Sequence, residues 1–293
     1  MALPKLQAFH VPNHIDEAFA LLTQSDEALP LGGGTFLRGL EARGLLGELE
    51  ALVDLRKVGL STVRMDAAEF EIGASVTFAR LAGMKEVNQA PWLGALADAL
   101  THPPVQVRNT ATIGGCVAAA CPFYDAPTAL LALDARVIAR SSAGERRMPL
   151  GDLFTGMFTN ALAKGEIITA VLLPAQGERC ASGFVKLASN ANDLAIVNAA
   201  ARLTVDAKGV CTEARLALGG GIGEVTTRSP AAEGILTGAH LDAAALHKAG
   251  EAVAGDIDPL ADHRASAEYR TATAKVMARR ALERALSRLE RLN

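Results

Sequence analysis

The sequence contains few aromatic residues, few cysteines and no excess of positive charge. Aromatic side chains make up 4% of the 293 residues, and the four cysteines form no paired CxxC motifs. We therefore expect neither a disulfide framework nor a structural metal site. The net charge is −3, which provides no long-range attraction for a polyanion, so we expect no nucleic-acid partner.

Long apolar runs are missing as well. The stretch from Ile167 to Ala175 is among the longest, and it is far shorter than the roughly 20 residues that a membrane-spanning helix needs. The first residues show no basic segment followed by an apolar run and a cleavage site, so we expect a cytoplasmic protein without a membrane span. Half of the residues are hydrophobic, which excludes disorder, and the length suggests two domains.

Strand-like and helix-like segments alternate in the first part of the chain. The hydrophobic periodicity predicts strands at 7–11, 28–31, 51–55, 69–74, 135–141 and 166–173, and helices at 15–24, 78–85, 92–100 and 127–133. Residues 101–127 break the periodicity with prolines and a glycine pair, which predicts a long ordered loop. Because long loops inside compact domains are often functional, this segment is a candidate site.

A second domain is predicted to begin at about residue 178, after a polar stretch. Residues 174–178 interrupt two strand-like runs with proline, glycine and polar residues. The domain is expected to contain extended segments at 182–188, 194–206 and 211–218, followed by helices at 229–237, 241–254 and 266–291. The last helix carries a basic face, which we expect to be solvated or to dock onto a partner subunit.

The first of two glycine-rich segments, Gly32-Gly33-Gly34-Thr35-Phe36-Leu37, joins a predicted strand to a predicted helix. Three glycines let backbone N–H groups approach an anion, and a helix N-terminus adds partial positive charge, so a phosphate fits there. A plain chain reversal has the same pattern. The G-x-G-x-x-G fingerprint is absent because its sixth position is Leu37, and the chain contains no P-loop motif.

The second segment, Arg108-Asn109-Thr110-Ala111-Thr112-Ile113-Gly114-Gly115, places two glycines beside hydroxyl groups. Taken alone, it fits a phosphate-binding loop and an ordinary β-turn equally well. Two such loops together could bind both halves of a pyrophosphate.

The two segments together resemble the paired FAD-pyrophosphate loops of the medium, flavin-carrying subunit of the molybdenum hydroxylases. This family includes carbon monoxide dehydrogenase, xanthine dehydrogenase and N-heterocycle dehydrogenases. Further similar segments cover nearly the whole chain: Val53–Leu55, Ile72–Thr77, Ala129–Ala135, Gly165–Thr169, Asp193–Val197, Leu218–Gly220, Arg228–Glu233 and Asp262–Arg270.

The resemblance implies an α+β architecture. It consists of an FAD-binding fold of the vanillyl-alcohol oxidase (PCMH) type over residues 1–177, with two α/β subdomains at about 1–55 and 56–177. A small C-terminal α+β domain of the CO dehydrogenase flavoprotein type would follow over residues 178–293.

The resemblance also implies a set of FAD-binding residues. Backbone N–H groups would bind the pyrophosphate and ribityl chain, from Gly32, Gly33, Gly34, Thr35, Phe36 and Leu37 in the first loop and Thr112, Gly114 and Gly115 in the second. Ile168 would present its backbone to the isoalloxazine ring. Neither a catalytic acid or base nor a metal ligand is expected in this chain.

Two further positions each have an alternative. Asp125 is expected either to accept hydrogen bonds from ribityl or ribose hydroxyl groups or to cap the helix predicted at 127–133. Lys186 is expected either to lie near the flavin ring, where its charge would stabilise the reduced flavin, or to be a solvated surface residue. Cys116, where many relatives carry Asn or Ser, and Cys121 are expected to be small buried loop residues.

In function, the resemblance implies the flavoprotein subunit of an oxidoreductase. A large partner subunit would hold a molybdopterin cofactor, and a small one would hold two [2Fe–2S] clusters that pass electrons to the FAD of this chain, in a dimer of heterotrimers. The FAD would deliver the electrons to an external acceptor. The alternatives are a stand-alone flavin oxidoreductase of the same fold and a flavin-free structural subunit.

Overall fold

The computed structural model describes residues 3–292, which form strands and helices along the whole chain. The strands are, in chain order, β1 (Ala8–His10), β2 (Ala28–Leu31), β3 (Ala51–Asp54), β4 (Val63–Met65), β5 (Glu69–Gly73), β6 (Arg136–Ser141), β7 (Gly144–Pro149), β8 (Phe154–Gly156), β9 (Thr159–Asn160), β10 (Ile167–Pro174), β11 (Cys180–Leu187), β12 (Val197–Val205), β13 (Cys211–Gly219) and β14 (Thr227–Arg228). The helices are α1 (Ile15–Thr23), α2 (Thr35–Glu41), α3 (Phe78–Ala82), α4 (Lys85–Gln89), α5 (Gly94–Ala99), α6 (Val105–Thr110), α7 (Ile113–Ala118), α8 (Asp125–Ala132), α9 (Leu150–Leu153), α10 (Pro230–Leu236), α11 (Ala243–Ala252) and α12 (Ala267–Glu290).

The N-terminal region, residues 3–174, begins with a three-stranded parallel sheet in the order β1-β3-β2. Helix α1 packs on this sheet because Ala18, Phe19 and Leu22 recur at helical spacing, and all three are buried in one cluster with Val53. Ile167, from the distant strand β10, belongs to the same cluster. The small sheet is therefore attached to the sheet that contains β10.

That second sheet has five antiparallel strands in the order β4-β5-β10-β6-β7. Its central strand β10 alternates between two cores, because successive side chains of a strand point to opposite faces. Val171 and Leu173 belong to the large core of the region, whereas Ala170 and Leu172 pack with Ile138 on the other face. An almost wholly apolar run suits a strand that is buried on both sides.

The segment 101–127 is not the long loop that its prolines and glycines predicted. It folds into α6 and α7, and α8 already begins at Asp125. The side chain of Thr112 caps α7 by accepting the N–H of Gly115 at 3.2 Å. Helices of six residues are too short to show a helical period in the sequence, so the prediction was wrong here. The helix predicted at 78–85 likewise divides into α3 and α4.

The C-terminal region, residues 180–292, contains a four-stranded antiparallel sheet in the order β11-β12-β13-β14. Phe184, Ala200 and Ala217 of this sheet belong to the core of the N-terminal region, while Ala199 and Leu216 pack with α10, α11 and α12 on the other face. The sheet is thus buried on both faces. Among residues 3–292, no helix is both long enough and apolar enough to cross a membrane.

Helix α12 turns part of its basic face towards the N-terminal region. Arg284 and Arg288 donate to both carboxylate oxygens of Asp98 in α5 at 2.6–2.7 Å, and the N–H of Phe184 donates to the same carboxylate at 3.2 Å. Burial alone would raise the pKa of Asp98, but the hydrogen bonds from the two guanidinium groups outweigh it, so the pKa lies below its usual value. Two arginines of the basic face are therefore used within the chain.

Replacing Asp98 with Asn should lower the free energy of unfolding by about 2 kcal/mol, because two partly buried guanidinium groups lose their counter-charge. Since the folded-state pKa is depressed, the stabilisation is complete above the unfolded-state pKa of about 3.9 and is lost as the pH falls through the lower folded-state value. Urea unfolding should show that the difference between wild type and Asp98→Asn shrinks below about pH 4.

The control for this experiment is Glu251→Gln, which breaks the exposed pair between Glu251 and Lys275. This change should alter the free energy of unfolding by less than about 0.5 kcal/mol. A difference for Asp98→Asn that stays constant from neutral to strongly acidic pH would contradict the assignment.

Candidate cofactor-binding site

A cleft of about 660 Å³ lies between the three-stranded and the five-stranded sheet. Three segments supply most of its walls: residues 28–37, which lead from β2 into α2; residues 112–119, in and after α7; and residues 158–168, which lead into β10. The first two contain the two glycine-rich segments, and the third contains Ile168. All predicted cofactor-binding residues except Asp125 and Lys186 therefore line one cleft.

The first glycine segment forms the turn between β2 and α2. Gly34 is the N-cap residue of α2 and has a left-handed backbone with φ of +70°, which glycine adopts without steric cost. The N–H groups in the first turn of a helix have no partners within that helix. These donors lie in the wall of the cleft, where an anion can accept their hydrogen bonds.

The two glycine segments contact each other directly. A Cβ atom on Gly33 would lie 1.8 Å from the carbonyl oxygen of Thr110, so only glycine fits there. A Cβ atom on Gly114 would lie 2.4 Å from the Cβ of Ala74, and the N–H of Gly114 donates to the carbonyl of Ala74 at 2.9 Å. These two glycines are thus required by packing within the protein, whatever occupies the cleft.

The hydroxyl group of Thr112 lies between the two segments. Cβ atoms on Gly32 and on Gly115 would come within 2.8 and 2.9 Å of Thr112 Oγ1, and neither would meet backbone atoms. Gly32 and Gly115 therefore differ from Gly33 and Gly114, because a methyl group there would meet only one side chain.

The lining of the cleft includes an ion pair, an aromatic pair and a buried thiol. Asp26 and Lys164 form an ion pair that joins two of the walls. Elsewhere, Phe36 and Phe158 pack with their ring centroids 5.8 Å apart. Cys116 is buried in the lining, and this burial raises the pKa of its thiol well above the usual value, so the thiol is neutral near pH 7.

Comparison with known proteins decides the family. Residues 4–176 match the FAD binding domain in molybdopterin dehydrogenase, and residues 182–285 match the CO dehydrogenase flavoprotein C-terminal domain. The chain belongs to the family of FAD-binding medium subunits of the molybdenum hydroxylases. The predicted resemblance is therefore confirmed.

Individual relatives are similar over almost their whole length. The 6-hydroxypseudooxynicotine dehydrogenase complex subunit alpha of Paenarthrobacter nicotinovorans is 34% identical over 95% of this chain and 94% of its own. The carbon monoxide dehydrogenase medium chain of Afipia carboxidovorans is 33% identical over 96% of both chains. The solved carbon monoxide dehydrogenase of Hydrogenophaga pseudoflava superimposes with a TM-score of 0.92 at 29% identity, over 98% of this chain and 99% of that one. This similarity confirms the predicted α+β FAD-binding fold.

Asp125 and Lys186 lie outside the cleft and form an ion pair with each other. Lys186 Nζ donates to the Asp125 carboxylate at 2.9 Å, and the side-chain amide of Asn198 donates to the other carboxylate oxygen at 3.0 Å. Each of the two charged side chains is only 6% exposed. Lys186 is therefore not a solvated surface residue. It also borders a second pocket of about 600 Å³, together with His102 and Arg108.

The helix-cap alternative for Asp125 is also wrong. The helix begins at Asp125 itself, its N-cap residue is Tyr124, and no side chain of the cap position makes a capping hydrogen bond. The carboxylate is directed to β11 and β12 instead. Contacts of Asp125 and Lys186 with a flavin stay predictions.

The hairpin formed by β8 and β9 was not predicted from the sequence, although its residues Phe158 and Asn160 line the cleft. Gly156 and Asn160 are residue types that favour turns, but strands of two or three residues leave no alternation to detect. Residues 3–292 contain no group of three or more His, Cys, Asp or Glu side chains that could hold a metal ion.

Asp125→Ala should lower the free energy of unfolding by about 3 kcal/mol or more, because it leaves the buried ammonium group of Lys186 without a counter-charge. Asp125→Asn, which keeps an acceptor oxygen, should cost less, and the double change Asp125→Leu with Lys186→Met should recover much of the loss by removing both charges. Urea unfolding of the flavin-free full chain measures all three. An alanine variant as stable as wild type would show that the pair does not hold the two regions together.

Proposed function

We propose that the chain binds one FAD in the cleft through backbone N–H groups of Gly32, Gly33, Gly34, Thr35, Phe36 and Leu37 and through Thr112, Gly114 and Gly115. Ile168 contributes its backbone to the same cofactor. The observation that carries the proposal is the contact between the two glycine segments, which brings the first turn of α2 and the hydroxyl of Thr112 to one cleft wall. The volume of the cleft, about 660 Å³, lies within the range of cofactor sites.

The chain contributes binding and positioning to the reaction. When bound, FAD supplies the redox chemistry, taking electrons from [2Fe–2S] clusters of a partner subunit and delivering them to an external acceptor. The N–H groups in the first turn of α2 would bind the pyrophosphate through hydrogen bonds and partial positive charge. At the start of α7, the N–H groups of Ile113 and Gly114 donate to the carbonyls of Val76 and Ala74, so this segment would contribute the hydroxyl of Thr112 and the close approach that its glycines allow. The neutral thiol of Cys116 keeps further negative charge out of this wall.

The proposed assembly follows from what the relatives are called. Their names are those of medium chains, of a medium subunit and of a subunit of a dehydrogenase complex. We infer a large subunit with the molybdopterin cofactor, a small subunit with two [2Fe–2S] clusters, a dimer of such heterotrimers, and a cytoplasmic location. We also propose the domain boundaries 1–177 and 178–293, with subdomains dividing near residue 55.

Changing Gly32 or Gly115 to Ala should weaken FAD binding at least about tenfold. The added methyl group must displace Thr112 Oγ1 and narrows the space between the two segments at the cleft wall. Fluorescence titration of the flavin-free full chain measures the affinity, and extraction of the cofactor should yield FAD rather than FMN because two loops bind two phosphates. These positions are preferable to Gly33 and Gly114, where Ala would collide with its neighbours and disturb the fold.

Gly39→Ala is the matched control for these variants. Position 39 lies inside α2, and a Cβ atom there would meet nothing within 4 Å. FAD affinity should stay unchanged, and the helix should gain about 0.5–1 kcal/mol of stability. If Gly32→Ala and Gly115→Ala both keep wild-type affinity, the two segments do not bind the cofactor.

The chain purified alone should oxidise neither an aldehyde nor an N-heterocycle. A chain that only relays electrons has no acid or base with which to activate a substrate carbon. A tagged chain expressed in its native cells should recover one polypeptide that contains molybdenum and one that contains iron and acid-labile sulfide. Turnover by the single chain at the rate of the complex would favour the stand-alone flavin oxidoreductase. An active complex in which this chain carries no flavin would favour the structural subunit.

A further inference from the structure

The tip of the β8–β9 hairpin has a strained backbone. Phe158 has φ of +59°, and Ala120, whose carbonyl accepts the N–H of Phe158 at 3.0 Å, has φ of +43°. Residues with a side chain rarely adopt this left-handed region, and bulky ones are outliers there. Such strain persists only where the surrounding structure enforces it, and it is concentrated at functional sites.

The surrounding structure holds the hairpin firmly against the end of α7. The side-chain amide of Asn160 donates to the carbonyl of Ala118 at 2.7 Å, and its oxygen accepts the N–H of Leu162 at 3.0 Å. Together with the bond between Phe158 and Ala120, these contacts fix the tip and the β9 side of the hairpin. The position of Phe158 is therefore determined by hydrogen bonds of the hairpin rather than by burial of its ring.

The ring of Phe158 remains available for a ligand. The residue is 41% exposed and lines the cleft. Its ring packs on Phe36 at a tilt of 32°, and Phe36 meets the edge of Tyr124 with centroids 6.5 Å apart. Phe36 belongs to the first glycine segment, so Phe158 stands beside the proposed phosphate-binding turn. An exposed aromatic ring at the wall of a cleft can pack on a planar ligand group.

We propose that Phe158 is a positioning residue whose ring packs against a planar ring of the bound dinucleotide, either the isoalloxazine or the adenine. The left-handed backbone keeps the ring at the cleft, and the strain is the cost of that position. This inference rests on the proposed binding of FAD. It adds a side-chain contact to a site that otherwise binds through backbone N–H groups.

Three variants of the full chain separate the ring from the backbone. Phe158→Tyr keeps a ring, Phe158→Ala removes the ring at the same backbone cost, and Phe158→Gly removes both the ring and the strain. FAD affinity should stay within about twofold for Tyr and fall about tenfold for both Ala and Gly, as expected for a lost aromatic stacking contact. The flavin-free Gly variant should melt at a higher temperature than the Ala variant, although both bind FAD equally weakly.

Two measurements distinguish the adenine from the isoalloxazine as the ring that Phe158 contacts: competition of ADP with FAD, and the spectrum of the bound flavin. If Phe158 contacts the adenine, Phe158→Ala should weaken ADP competition about tenfold as well and leave the spectrum of bound flavin unchanged. If Phe158 contacts the isoalloxazine, ADP binding should be unchanged, and the absorption band and fluorescence of the bound flavin should shift.

Wild-type affinity in the Ala and Gly variants would overturn the inference. Retained FAD affinity with loss of co-purifying partner subunits would do so too, because the ring would then serve a protein interface. If the wild-type chain itself binds no FAD, the proposed function fails instead, so the two failures are distinguishable.

Discussion

Three carboxylates of the N-terminal region, each bound by polar and cationic side chains of the C-terminal region, determine how the two parts of the molecule meet. They are Asp98 with Arg284 and Arg288, Asp125 with Lys186 and Asn198, and Asp134 with Arg202, Arg215 and Arg228. All three lie on or next to α5 and α8, the helices that cover one face of the C-terminal sheet. The apolar part of this contact is rich in alanine, so the ion pairs supply its directional contacts.

This interface is connected to the cleft through a short stretch of chain. Helix α8 begins at Asp125, a few residues after the end of α7, and α7 itself begins with the second glycine segment. Between them, Ala120 accepts the hydrogen bond that fixes the β8–β9 hairpin. The buried carboxylate of Asp125 thus anchors one end of a segment whose other end forms the cleft wall. The cleft wall and the contact between the two regions are therefore formed by neighbouring parts of one stretch of chain.

The sequence was informative wherever a feature is local. A strand was predicted at 166–173, where β10 lies, and the composition Gly-Gly-Gly-Thr predicted the turn before α2. Helices α6 and α7 were missed because prolines precede α6, two glycines lie in α7, and each helix is shorter than two turns. The partners of Asp125, which are Lys186 and Asn198, lie 61 and 73 residues further along the chain, and hydrophobic periodicity carries no information about such distant contacts. The position of Phe158 could not be predicted either, because it depends on a left-handed backbone conformation that is rare for phenylalanine.

The contact between Gly33 and Thr110 means that the walls of the cleft are ordered before any ligand binds. Because the two turns are wedged against each other by the protein's own atoms, their shape is set during folding and does not wait for a ligand. The loops lose their conformational entropy when the chain folds, so ligand binding involves little further loss. The cleft is therefore preorganised: its two turns keep the same shape with and without a ligand, so binding requires no search among loop conformations.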